Sequence, residues 1–204
     1  MARHTRTAVL ATGALLAAVT LAACSNDDPT GTDNSTDQST TSIAADVNQA
    51  DVMFAQMMIP HHQQAIEMSD ILLANDAAMT EVATLAEEIK AAQGPEIDTL
   101  NGWLTEWGVD SSAPMDHGDM SSDDGMMSDE DLAELESASG AEVNRLFLEQ
   151  MIMHHEGAIA MAQEQVDNGQ NADAIALAED IIATQEAEIA TMGSILGTLS
   201  DTTG

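Results

Sequence analysis

The sequence predicts an all-α fold, a four-helix bundle built from a helical hairpin that occurs twice. Three observations carry this. No segment alternates apolar and polar residues with the period of a strand. The chain is dominated by Ala, Leu, Ile, Met, Glu and Gln, all good helix formers, and has two Phe, two Trp and no Tyr. The third observation is internal repetition. Residues 54–68, FAQMMIPHHQQAIEM, match residues 147–161, FLEQMIMHHEGAIAM, at eight of fifteen positions, and residues 85–100 match 177–192 at nine of sixteen. Two copies of a hairpin pack most simply about a pseudo-two-fold axis, which makes the first and third long helices equivalent, and the second and fourth.

The first long helix is expected from about Asp46, as its N-cap, to Ala74, and the second from about Asp76 to Trp107, ending at Gly108. The short connection Ala74 to Asp76 makes them an antiparallel hairpin spanning 46–108. Residues 109–128 form a Met-, Asp-, Gly- and Ser-rich loop. Ser128, with Asp131 three residues on, starts a short helix to Glu136, and Gly140 ends it. Ser139-x-x-Glu142 is a capping box for the third long helix, which runs to Asp167 and closes on Asn168-Gly169. Asn171 caps the fourth, which runs to about Leu199, so the second hairpin spans 129–199 and the bundle 46–200. Pro60 and Gly94-Pro95 lie inside helices, where a kink is expected, and the second copy has no matching breakers.

Before the bundle, residues 1–23 read as a signal peptide: Arg3 and Arg6, an apolar run from Ala8, then Leu21-Ala22-Ala23-Cys24. The LAAC ending marks Cys24 as a lipidation site; an ordinary signal peptide beside a cysteine is the alternative. Residues 24–45, rich in Ser, Thr, Asp and Asn, are expected to be a disordered tether. Cys24 is the single cysteine, so neither a disulfide nor a Cys-based metal site can form within the chain. Cleavage leaves Lys90 and Arg145 as the cations against 36 acids. Such a surface excludes nucleic acid and anionic lipid headgroups as partners and favours cations. Membrane contact is expected through the lipid anchor alone.

Four of the six histidines fall in the duplicated stretch. At about 100° per residue, Met58, His61 and His62 share one helical face, and Met151, His154 and His155 share the equivalent face. Met68 and Met161 lie about two turns further along the same side. A Met stripe at helical spacing is ordinarily core filler, and a lone His is ordinarily hydrogen-bonded structure. Four imidazoles on apolar faces, however, are costly to bury without a partner that uses them. Imidazole suits copper, zinc, iron and nickel, and thioether selects Cu(I), or the similarly soft silver ion. A di-iron carboxylate bundle needs Glu-x-x-His; here Met58 and Met151 occupy the Glu positions. Copper, as Cu(I) or Cu(II), is therefore expected ahead of zinc or iron. Gln93-x-x-Glu96 and Gln185-x-x-Glu188 recur on the second and fourth long helices, either as solvated polar groups or as groups that orient the imidazoles. In the loop, Met115, His117 and Met120 among Asp and Gly form a candidate labile capture segment, with an acidic linker as the alternative.

With its doubled M-x-x-H-H-x-x-A-x-x-M signature at 58–68 and 151–161, its Q-x-x-E-I repeats and GWLTEWG at 102–108, the chain resembles the domain of unknown function 305 family over roughly 46–199. That resemblance implies a ferritin-like four-helix bundle, an extracytoplasmic location and, for some members, copper binding. Carried over by position, it points to Met58, His61, His62, Met68, Met151, His154, His155 and Met161. Three functions are compatible with these residues: a protein that sequesters or transfers copper, a ferritin-like metal-dependent oxidase, and a structural or interaction module without metal. The first is preferred, with the metal ion as ligand and a second copy or a copper donor or acceptor protein as partner.

Overall fold

The structure, a computed structural model, describes residues 45–109 and 125–202, with side chains described to residue 199. The expected signal peptide, Cys24, the expected tether except its last residue, and the candidate capture residues Met115, His117 and Met120 lie outside the described residues. Within them there are five helices and no strand: α1 (Gln49–Leu73), α2 (Thr80–Glu106), α3 (Asp129–Ser137), α4 (Ala141–Asn168) and α5 (Ala172–Thr202). The expected all-α bundle with four long helices in two hairpins is what the chain adopts. The α1–α2 and α4–α5 hairpins meet chiefly through α1 and α4. No described helix is long and apolar enough to cross a membrane.

Local chemistry shifts several helix ends from their expected positions. Asn48, not Asp46, caps α1: its side chain accepts from Asp51 N (3.1 Å) while the Asp51 carboxylate accepts from Asn48 N (2.7 Å). That reciprocal pair satisfies two backbone donors at once, which Asp46 cannot do from two residues upstream. Helix α2 begins at Thr80 rather than Asp76, because Asn75 folds the chain into an Asx turn, its side chain accepting from Ala77 N. Ser128 and Asp131 form the expected box at α3. The Ser139/Glu142 box does not form; the residue before α4 is Gly140 at φ 63°, without a side-chain cap. Asn171 caps α5 as expected, accepting from Ala174 N at 3.0 Å. Helices α1 and α2 continue through Pro60 and Pro95.

One duplicated device ties each hairpin to the connection of the other. Asp51 on α1 is fully buried, and its carboxylate accepts from Gln165 Nε2, Gln170 N and Asn171 N, which pins the α4–α5 connection. Asn144, at the equivalent position of α4, accepts from Met79 N and donates to Ala77 O, which pins the α1–α2 connection. Burial pushes the Asp51 pKa up, but its hydrogen bonds from Asn48, Gln165, Asn171 and Gln170 outweigh burial and hold it below the ordinary value.

The core divides in two. One cluster holds Met68, Leu72, Ile89, Phe147, Met151 and Met192; the other holds Phe54, Met58, Leu100, Leu104, Ala158 and Ile181. Each buried Met, Leu, Ile or Phe side chain among these contributes roughly 1.5–3 kcal/mol. Helix α3 packs against α1 and α4 and adds Leu135 to the first cluster, together with Met127 just ahead of it. Gln64 fixes that approach, with its side-chain amide paired to both the N–H and the carbonyl of Met127.

Candidate metal centre

Between the two apolar clusters, every long helix carries polar positions. On α1 they are His61 and His62, on α2 Gln93 and Glu96, on α4 His154 and His155, and on α5 Gln185 and Glu188. The four imidazoles are buried, none more than 2% exposed. The two copies meet at the α1–α4 seam, where the rings of His61 and His154 lie 3.7 Å apart, centroid to centroid. Residues matched by the repeat thus become neighbours in space, as the pseudo-two-fold expectation requires.

Behind the seam, the outer helices supply a matched pair of carboxylates. Glu96 Oε2 lies 2.6 Å from His62 Nε2, and Glu188 Oε2 lies 2.7 Å from His155 Nε2. A carboxylate oxygen accepts, so Nε2 carries the hydrogen in both rings. Nδ1 of His62 and of His155 is then the lone pair, and both are buried with no hydrogen-bond partner. This leaves an imidazole nitrogen free for a ligand while a carboxylate fixes ring orientation and raises donor strength. Gln93 and Gln185 are also buried, but neither polar atom of the Gln93 side chain has a hydrogen-bond partner, nor does Gln185 Oε1. Of the four residues proposed to orient the imidazoles, the two glutamates contact them and the two glutamines make no hydrogen bond to them.

His154 is the most deeply perturbed group. Burial, and then the neighbouring imidazoles of His61, His155 and His62, push its pKa well below the usual histidine value, against a weaker opposing effect of the His61 backbone. It is therefore neutral at physiological pH, the form that can donate a lone pair.

The thioethers divide between the clusters. Met151 and Met68 are fully buried in the first, and Met58 in the second. Met161, the repeat partner of Met68, is half-buried against the second cluster and lines a surface cleft. The cause is α3, which adds Leu135 and Met127 over the Met68 end and has no counterpart among the described residues over the Met161 end.

These residues suit a soft or borderline cation better than a hard one. Buried polar atoms without partners are rare because each costs about 1–3 kcal/mol, yet several gather here. A donor set of neutral imidazole with nearby thioether matches copper or silver. Among the described residues, no group of three or more His, Cys, Asp or Glu is arranged to hold a metal ion by itself. Thioether participation, or a small side-chain movement, must complete any cage. Sequence reasoning missed Asp51, Asn144 and Gln64; the first two stand at matched positions of the repeat, a signal present in the sequence.

Comparison with known proteins narrows the class. The family model for "Domain of unknown function (DUF305)" matches residues 51–196. No curated protein matches the chain. Among solved structures, a DUF305 fragment from Deinococcus radiodurans is 30% identical, with a TM-score of 0.68 over 74% of this chain and 98% of that one. A DUF305 protein from Streptomyces coelicolor, described as secreted, is 32% identical, with a TM-score of 0.67 over 77% and 95%. CopM in its Cu(I)-bound form is 31% identical, with a TM-score of 0.61 over 72% and 96%; Cu(II)- and Ag-bound forms of CopM are similar to the chain as well.

Proposed function

This chain belongs to the DUF305 family, and from that premise we propose that it is an extracytoplasmic copper-binding protein that sequesters the ion or passes it on. The observation that carries the proposal is the seam itself: four buried imidazoles from both copies, two of them backed by carboxylates, between two Met-bearing clusters. The similarity to CopM, which has been solved with Cu(I), Cu(II) and silver, supports the choice of metal. The similarity to a protein described as secreted supports the location, and Cys24 supplies a lipid anchor after signal-peptide cleavage.

In this reading His61, His62, His154 and His155 provide nitrogen donors, and Met58, Met68 and Met151 provide sulfur. Glu96 and Glu188 hold two rings and strengthen their donor nitrogens. Copper is the cargo, and the acidic surface raises its local concentration. Protons compete with the ion for imidazole, so affinity should fall as pH drops, while thioethers retain part of the Cu(I) affinity.

The test is a thermal melt of the full chain with and without Cu(I), Ag(I) and Zn(II), repeated with all four histidines changed to alanine. A ligand at a hundred times its Kd adds about 2.7 kcal/mol, which for a domain of this size raises Tm on the order of 5–10 °C. That rise should be largest for Cu(I) and Ag(I), and should shrink sharply in the four-alanine variant. An unchanged Tm in the parent, or an equal rise in the variant, would assign the imidazoles to structure alone.

A further inference from the structure

We propose that the cleft lined by Met53, Met57 and Met161 is a second, solvent-open site for a soft monovalent cation, Cu(I) or Ag(I). The cleft lies between α1 and α4 and encloses about 330 Å³. Met53 and Met57 stand one turn apart on α1, so their side chains are neighbours, and Met161 reaches the same cleft from α4. Phe54 and the side-chain-free Gly157 also line it, with Glu164 as its carboxylate. No imidazole does.

Three thioethers around one cleft form a donor set that selects soft cations. Core packing does not account for all three. Met53 is 43% exposed and Met57 is half-buried; Met161 packs one side against the second cluster but is itself half-buried where it lines the cleft. Thioethers carry no proton in the physiological range, so this site should work at a pH where imidazole is protonated. Glu164 offsets the cation's charge without replacing sulfur as ligand. Nothing in this argument uses the imidazole seam, and the two sites can be present or absent independently.

The experiment is a titration of the full chain, labelled with ¹³C at the methionine methyls, with Ag(I) as a redox-stable probe and Zn(II) as control. Met53→Leu, Met57→Leu and Met161→Leu assign the three signals; these swaps nearly conserve volume. Expected is a joint shift of the Met53, Met57 and Met161 methyls with Ag(I), little shift with Zn(II), and persistence at pH 5.5. Met53→Leu/Met57→Leu should bind one Ag(I) fewer and leave Met161 unshifted. The proposal is overturned if the three methyls stay still while other sites saturate, or if Met161 shifts unchanged in the double variant. Shifts confined to these three, with Met58, Met68 and Met151 silent, would remove the buried thioethers from the proposed seam site and leave this one standing. A groove that serves packing alone gives no shift at any of the three.

Discussion

Changing Glu96 and Glu188 together to alanine is expected to weaken copper binding by roughly 100-fold. Both carboxylates accept from Nε2 of a fully buried histidine, at 2.6 and 2.7 Å. Removing them frees the rings to rotate or change tautomer, and takes away the negative charge that strengthens the donor nitrogen. The glutamine pair should retain more affinity, because its amide oxygen still accepts, and a loss of about tenfold is expected there. The glutamine pair keeps an acceptor for each buried Nε2–H, so without metal it should melt within a few degrees of the parent, while the alanine pair strands both donors and should melt lower. A structural role alone would keep that difference in Tm and show no difference between glutamine and alanine in affinity. Isothermal titration with Cu(I) or Ag(I), beside melts of the metal-free variants, separates the two.

Asp51→Ala is expected to be the most destabilising single change outside the apolar core. It strands Gln165 Nε2, Gln170 N, Asn171 N and Asn48 N, all of which donate to this one buried carboxylate. Losing charge-assisted hydrogen bonds of this kind costs on the order of 3–5 kcal/mol, a large share of a typical domain's stability. Tm should fall by roughly 10 °C or more. The effect has a pH signature. The folded-state pKa of Asp51 lies below its ordinary 3.8, so the carboxylate's contribution is complete above that value and is lost as pH falls through the folded pKa. The gap in stability between parent and variant should therefore be constant near neutral pH and close below about pH 3.8. Asn144→Ala should show a smaller loss, since its bonds are neutral, with no such pH dependence. Urea unfolding at several pH values measures both.

The repeat made most of this legible. Matching His61-His62 to His154-His155 in sequence predicts that they meet, because duplicated helices pack by the same faces. The Gln-x-x-Glu repeat likewise pointed to Glu96 and Glu188. What it could not supply was the division of labour, since only the distance to Nε2 distinguishes the contacting glutamates from the glutamines one turn away. Met161 differs in burial from its repeat partner Met68 for a related reason. A helical wheel puts it beside Met68's equivalent face, but α3 covers only one end of the bundle, and that asymmetry comes from the loop between the hairpins. The shift from Asp46 to Asn48 is smaller: both residue types cap well, and the choice fell to whichever could reciprocate with Asp51. Asp51 and Asn144 look like solvated residues in isolation, although their matched positions in the two copies carried the hint of a shared task.

The central claim is that copper is held by the imidazoles at the α1–α4 seam. Copper K-edge X-ray absorption on the full chain carrying Met53→Leu/Met57→Leu, loaded with one equivalent of Cu(I), addresses it most directly, because the outer thioether cleft is then silenced. The expected spectrum shows multiple scattering from imidazole rings together with a sulfur shell, and the imidazole component disappears when His61, His62, His154 and His155 are alanine. A spectrum with sulfur or oxygen alone, or one unchanged by those four substitutions, would contradict it.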